Sequence, residues 1–559
     1  MPDEIRNIDP SKMDSLEKLR SVVMLLLNAV ESMSAEIAAL KKENQELKDT
    51  INLLKGEQAR PKITGSGKKP NQDTSSQGKE KGGEAKDKQE KPTIQTDNRP
   101  PILHPKAEDL PPDAVFKFYK TVVVQDIVFK RDNVEYKLAM YYSPSQQTTF
   151  APQLPFEHRQ GGYGSNLRAL IQVLHQDCKV TEGGIEKLLL SLGLKISAGT
   201  ISNLLLEPGD WACEERREIL RAGIEGSPYV QADSTQNKQK GVAMKTHIIG
   251  ALYFVAYYTL GSKTRLDILK ALLGNPKEGM QITYNGQGRA LLASFGISLK
   301  DRLKLSELLA EGQSMGMAEF DGLIKTQAPG IFSKKNSYAR IKESLALGHY
   351  YTQEDFPVAD ILLSDDAPEY QKIARLLHAL CWVHSLSRKL GNARHYNKLN
   401  PQFDWHSRLL EGFKRQYWAF YGRLLKYRQL KEGKQRNQKA ALSAAFDRLF
   451  KKTTGYDKLD ELIRRTKANK AELLVVLDHP ALPLHNNAAE LAVRQIVRKR
   501  DISLHTWSEK GTRVRDAFLT IIETANKLGV SAIQYISDRI SKRYEMPSLA
   551  SLVTKAYAG

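Results

Sequence analysis

Between residues 16 and 54, one set of side chains recurs at alternating intervals of three and four. It runs Leu16, Leu19, Val23, Leu26, Val30, Met33, Ile37, Leu40, Asn44, Leu47, Ile51 and Leu54. A repeat of this period lays a stripe along one side of an α-helix, and an apolar stripe must be covered by another surface. With Leu16 at an a position, Asn44 is also an a residue and every d position holds leucine or methionine. Apolar a residues, leucine-rich d positions and one Asn in the seam favour a parallel two-stranded coil in fixed register. An amphipathic helix packed within its own chain fits the same pattern. The expectation is a coiled-coil dimerisation segment over residues 1–56, giving a homodimer or higher oligomer.

Residues 57–101 are dominated by Lys, Gly, Gln, Ser, Asp and Pro. They bury too little apolar surface to offset ordering entropy, so a disordered linker is expected. The 559-residue chain is long enough for several cores, and its 84 Lys and Arg against 64 Asp and Glu give a formal net charge of +20. Such a surplus attracts polyanions, nucleic acid first among them. Three scattered cysteines, Cys178, Cys213 and Cys381, form neither a disulfide framework nor a CxxC zinc site. The polar start lacks a secretory core, and the least polar run, residues 248–261, is too short to span a bilayer. A cytoplasmic, nucleoid-associated protein with no membrane partner is expected.

Further along, FKFYKTVVVQDIVF and VEYKLAMYY suggest a β-rich module over residues 102–160. Residues 161–225 read as helices, with Thr181 and Ser197 as N-caps and Gly193 as a stop. Two short helices around a glycine turn outline a helix-turn-helix, and a purely structural hairpin fits the same residues. Strand-like runs follow from residue 228, and residues 391–480 form a helical block rich in basic and aromatic side chains. Within it, Arg415 and Arg423 are candidate DNA contacts, and Trp418 suits either base stacking or a core.

Two apolar runs end in acids: YVQAD closes on Asp233 and ADILLSD on Asp365. A third acid, Glu490, stands near a helix start in LHNNAAELAVR, where a capping box with Asn487 is the simplest role. A carboxylate at a strand end is held rigidly beside its neighbours. Three on separate elements suit Mg²⁺, with Mn²⁺ as a substitute, and phosphodiester chemistry by two ions. Cys381 and His384 are too few for a closed zinc site.

The residues around these acids resemble the bacterial DDE transposases of the insertion sequence 66 family. Asp233-Ser234-Thr235, LLSDDAPEY, CWVHSLSRKL with its trailing Arg388, NNAAELAVR with Arg494, and the downstream Arg500 and Gly511 are similar to the family's motifs. So is the closing segment ANKLGVSAIQYI, and the likeness covers most of the chain beyond residue 160. This chain has His485 and Leu491 where the family has an acid and Arg, and residues 101–160 lack the cysteines of its zinc module.

The resemblance implies a multidomain α/β protein with a ribonuclease-H-like catalytic core and a helical insertion, preceded by a coiled coil, a small β region and a helical, HTH-like domain. The core occupies residues 226–390, with an insert near 276–355, and residues 481–559; the helical insertion occupies 391–480. Asp233, Asp365 and Glu490 are the implied catalytic triad and metal ligands, with Asp366 competing for the middle place. Cys381 and His384 are implied structural supports, and Arg388, Arg494 and Arg500 DNA contacts. The implied activity is cutting transposon ends and joining them to target DNA; a catalytically inactive DNA-binding descendant is the alternative.

Overall fold

The computed structural model describes residues 15–54, most of 116–155, 162–383, 403–451 and 453–558, with a few isolated positions between. The expected linker at 57–101, His384 and Arg388 lie outside the described residues. The chain divides into two units, residues 1–35 with 134–559, and residues 36–133. In the smaller unit, the described residues beyond the helix are exposed and form no helix or strand. Of the strands expected across 102–160, only β1 (Tyr141–Ser143) and β2 (Thr148–Phe150) form among the described residues, as a short antiparallel hairpin. Their side chains are largely exposed, so this region offers no buried face on which a wider sheet could grow.

Helix α1 (Leu16–Leu54) carries the heptad stripe. In the larger unit the helix turns its opposite side inward: Ala29 and Glu31 are buried, while Leu16, Leu19, Val23, Leu26, Val30 and Met33 stay exposed. Helices α2 (Ser165–Gln176), α3 (Glu182–Ser191) and α4 (Ala198–Leu206) share a small core of Ile171, Ile185, Leu189, Ile201 and Leu205. Thr181 accepts from the Gly184 N–H and Ser197 from the Thr200 N–H, and Gly193 ends α3 at φ +77°.

After α5 (Gly209–Gly226), the chain lays down β3 (Val230–Gln239), β4 (Val242–Gly250) and β5 (Val255–Leu260) as an antiparallel meander. Helix α6 (Arg265–Leu272) leads to the hairpin strands β6 (Gln281–Tyr284) and β7 (Gln313–Gly316). Helices α7 (Gly286–Ser294), α8 (Leu299–Leu308), α9 (Met317–Gln327), α10 (Pro329–Phe332) and α11 (Lys335–Thr352) accompany them. This insert belongs to the main core, since Ile282, Leu292, Phe320 and Leu345 are buried in the same cluster as Ala232 and Tyr258.

The chain then returns as β8 (Ile361–Ser364) and β9 (Leu377–Leu380), completing a five-stranded sheet of order β5-β4-β3-β8-β9. β3 pairs with β8, and β8 with β9, in parallel. Helices α12 (Asp404–Arg428), α13 (Glu432–Leu449), α14 (Asp457–Ala468) and α15 (Lys470–Leu473) enclose a second core around Trp382, Tyr417, Phe446 and Leu459. Helix α16 (Asn487–Ser503) and α17 (Glu509–Lys527) bring the chain back to the sheet, followed by α18 (Ala532–Ser541) and α19 (Leu549–Ala558).

Alternation along the strands assigns the two faces of the sheet. Ile249, Ala256 and Tyr258 join the main core, whereas Ile248, Val255 and Tyr257 pack on Ala489, Ala492, Ile496 and Leu519 of α16 and α17. The protein is thus a mixed α/β fold. Among the described residues, no helix is long and apolar enough to cross a membrane.

The inward side of α1 meets the second core through polar groups. The buried Glu31 carboxylate accepts from Tyr456 Oη at 2.5 Å and lies 2.6 Å from His406 Nδ1, and the His406 ring stacks on Tyr456. Burial pushes the Glu31 carboxyl up, but the bonds from Tyr456 and His406, with the charges of His406 and Lys458, outweigh it and hold the value below normal. Asn28 donates to the Gly455 carbonyl. Gly455 has φ +84°, a conformation that favours glycine, and a Cβ there would also displace the flexible end of Met24, 2.0 Å away.

Removing a buried hydrogen-bonded charge leaves its partners unsatisfied, at about 2–4 kcal/mol. Glu31→Ala is therefore expected to loosen α1, read as faster amide exchange over residues 16–35 with sheet exchange unchanged. Unaltered protection over 16–35 would show that other contacts carry the docking.

Candidate active site

Pairing in register brings two acids to one level. β3 and β8 run parallel with Gln231 opposite Leu363. Two residues further on, Asp233 and Asp365 extend from adjacent strands toward the same face, with strands spaced about 4.8 Å apart. Asp366 lies one residue further on, in a bend beyond the strand, and is not among the charges that act on Asp233. Asp365 is also the nearer influence: burial, then Asp365, then Glu490 raise the Asp233 carboxyl from 3.8 to about 6, against the Ser234 N–H and Lys263.

Glu490 comes to that face on the first turn of α16. The capping residue is Asn486, not Asn487, and its side chain makes no cap bond. Instead, Asn486 Nδ2 donates 2.9 Å to the Ala232 carbonyl, one residue before Asp233. Gln231 Oε1 accepts from the Ala489 N–H. These bonds tie the helix mouth to the strand beneath it.

Cys381 completes the tie from the other side. It is buried at the end of β9, where its N–H donates to Ser364 O and its Sγ accepts from the Asn486 N–H at 3.3 Å. The Trp382 N–H donates to Leu484 O, so residues 381–382 pair with the segment entering α16. The sequence motifs around Asp365, Cys381 and Glu490 thereby become neighbours.

Two further residues surround the acids. Lys263 Nζ stands 3.6 Å from Asp365 Oδ2 and 4.9 Å from the Tyr370 ring centre. Tyr370 is fully buried, and its phenol is raised well above normal by burial and then by the charges of Asp233 and Asp365. Tyr370 closes the LLSDDAPEY motif, whereas Lys263 belongs to none of the sequence motifs. Lys263 lies in the loop between β5 and α6, where no spacing marks a lysine as an acid's partner.

On the neighbouring strand, His378 Nε2 sits 2.8 Å from the Ser364 hydroxyl, and burial lowers it to about 4 despite Asp365. Asp365 itself is held by the Ala367 N–H at 3.1 Å.

The three carboxylates are hard oxygen donors of the kind Mg²⁺ takes. Among the described residues, no three His, Cys, Asp or Glu side chains converge closely enough to enclose a metal ion. The fit therefore rests on donor chemistry and on the mutual repulsion recorded at Asp233, a gathering of anions that a divalent cation would relieve.

Of the expected DNA-contacting residues, Arg415 and Arg423 are exposed on α12 and Arg494 is exposed on α16. Arg500 is half-buried and donates to the Gln236 carbonyl, joining α16 to β3. Trp418 is 36% exposed and meets Tyr417 and Tyr421 edge-on, outside the buried core.

The model of the family described as "Transposase IS66 family" matches residues 348–514, a span that holds Asp365, Cys381, Glu490 and Arg500 but not Asp233. The chain is 31% identical over 333 residues to an uncharacterized protein, y4jO, of Sinorhizobium fredii (strain NBRC 101917 / NGR234). That alignment covers 58% of this chain and 94% of the relative. No solved structure matches. The chain belongs to the IS66 transposase family.

Crowded carboxylates carry a stability cost that a substitution can reveal. The folded Asp233 carboxyl holds its proton more tightly than an unfolded one, so its contribution to stability falls as pH rises from 3.8 to about 6 and stays low above that. Asp233→Asn keeps the acceptor for the Ser234 N–H and removes the charge. It is expected to stabilise the protein by about 1–3 kcal/mol at pH 7.5 in denaturant melts without divalent ions, and by less near pH 5. Equal or lower stability at pH 7.5 would contradict the crowding.

Proposed function

We propose that the protein is a DDE transposase, which cuts transposon ends and joins them to target DNA with Asp233, Asp365 and Glu490 as its acid triad. The observation that carries this reading is that Asp233 on β3 feels the charges of Asp365, just past the end of β8, and of Glu490, on the first turn of α16. The strand order β5-β4-β3-β8-β9, with three antiparallel strands followed by two parallel ones, supports a ribonuclease-H-like core.

Asp233, Asp365 and Glu490 would hold Mg²⁺, with Mn²⁺ as a substitute; two such ions activate an attacking hydroxyl and stabilise the leaving oxygen. The remaining groups position these acids. Asn486 and Gln231 fix α16 over β3, so Glu490 keeps its place beside Asp233. Lys263 balances Asp365, and Cys381 and Asn486 join the second acid's strand to the third acid's helix. The helix N-terminus favours a carboxylate at Glu490 as well.

DNA is the substrate this reading requires, and the net charge of +20 supplies the attraction. Exposed Arg415, Arg423 and Arg494 are the proposed backbone contacts, joined by half-buried Arg500; Arg388 is proposed as a contact from its motif alone. The exposed stripe of α1 is the proposed dimer seam, since its opposite side is already occupied by the Glu31 contacts. Cys381 and His384 are proposed as supports, and the place of action is the cytoplasmic nucleoid.

Charge removal separates catalysis from capping. Because the cap bond at Asn486 is absent, Glu490→Gln should cost little stability. A neutral amide binds Mg²⁺ poorly, so joining of DNA bearing the element's ends should fall at least about a hundredfold, with little further loss on adding Asp233→Asn or Asp365→Asn. Joining at near wild-type rate in Glu490→Gln would remove Glu490 from the triad. Wild-type protein that binds the ends but never cuts them would favour the inactive, DNA-binding alternative.

A further inference from the structure

A cavity of about 600 Å³ lies beside the acids but outside them, bounded by α2, α3, β3, α16 and α17. Its volume falls within the range of small-ligand sites. Its wall includes Lys499, which is 5% exposed and donates to the His175 carbonyl at 2.6 Å. Arg515, also buried, is paired with Asp516 at 2.7 Å. Burial, then Arg515 and Lys179, lower Lys499 to about 7. Arg500 is therefore the standing cation of the wall and Lys499 becomes fully charged only beside an added anion, against a single acid, Glu182. The first turns of α3 and α17 add their N-terminal dipoles to the same wall.

Two residues of the wall carry polar atoms that lack partners. Gln176 is 3% exposed, and its Oε1 has no hydrogen-bond partner; the same is true of the His505 Nε2. Both line the cavity. Both atoms are closed off from solvent-sized space, so these two residues shape the wall while their unpartnered atoms lie behind it.

Trp507 stands at the cavity wall with 75% of its surface exposed, edge-on to His505. Leu504, at φ +57°, turns the chain out of α16 and hands Thr506 to the edge of β3. An exposed tryptophan face beside the basic side chains Lys499 and Arg500 matches two parts of a nucleotide, a flat base and a phosphate.

The two elements that bring acids to the active site also fix the distance to this cavity. From Glu490 to Arg500 along α16 is about 15 Å at 1.5 Å per residue. From Asp233 to Asn237, another cavity residue, is about 13 Å along β3. Those lengths correspond to about four nucleotides along one strand of a duplex.

We infer that this cavity takes one unpaired nucleotide, its phosphate toward Lys499 and Arg500 and its base on Trp507, and that its source is the DNA strand a few nucleotides from the acids. The choice of source rests on the transposase reading above; a free nucleotide shares the chemistry.

The test uses the full-length protein and two duplexes of one sequence, fully paired or with a single unpaired 2-aminopurine. At fixed salt, the duplex with the unpaired base should bind about tenfold more tightly and its 2-aminopurine fluorescence should be quenched by stacking. Trp507→Ala should bring the affinity ratio to about one and abolish the quenching, and Trp507→Phe should keep most of both. Millimolar dAMP that erased the preference would assign the cavity to a free nucleotide as well. A preference and quenching that survive Trp507→Ala, or no preference at all, would overturn the inference. If neither duplex bound, the transposase reading would fall. The cavity would then stand or fall on quenching of Trp507 emission by dAMP, taken as the difference between wild type and Trp507→Ala.

Discussion

The parallel pairing of β3 with β8 is the constraint on which the rest of the active site depends. A shift of one residue in that register would turn Asp365 to the opposite face and bring Asp366 forward instead. The antiparallel meander β3-β4-β5 anchors β3 from the other side, so the register is fixed by long pairing on one edge and by buried Leu362 and Leu363 on the other. Helix α16 then has one position it can occupy, with Ala489, Ala492 and Ile496 against the sheet and Asn486 bonded to Ala232. Glu490 follows from that placement.

Bringing acids together this way opposes folding. Asp233 is raised by burial and by both other acids, and a lysine rather than a carboxylate's usual solvent shell stands by Asp365. Local strain of this sort persists where the surrounding fold over-determines it. Here the supports are Asn486 and Gln231, which both tie α16 to β3, and the buried Cys381 thiol, which ties the end of β9 to the mouth of α16. The same economy appears at α1, where one carboxylate, Glu31, answers both Tyr456 and His406 while the apolar stripe remains outward.

Much of the site was legible as residue types at strand ends. Asp233 and Asp365 end apolar runs, and the helix caps Thr181 and Ser197 and the Gly193 stop are local features, readable because neighbours in sequence decide them. What could not be read depends on distant pairing. Asn487 looked like the cap, yet Asn486 is the capping residue, because a strand 254 residues away offers its side chain a carbonyl. Lys263 comes from a loop whose sequence resembles any other, and Tyr370, though it closes LLSDDAPEY, is brought against Lys263 by a pairing the sequence does not mark. The β-rich run at 110–155 has strand-like residues but no second surface, and propensity alone did not make a sheet there.

The claim that most of this account rests on is that three carboxylates act as one cation-binding group. Titration of the metal-free protein with Mn²⁺, followed by the loss of the free ion's electron paramagnetic resonance signal, tests it without reference to DNA or turnover. The account predicts saturable binding to the wild type, strongly weakened by Asp233→Asn, by Asp365→Asn and by Glu490→Gln alike. Binding that survives Glu490→Gln with unchanged affinity would contradict it.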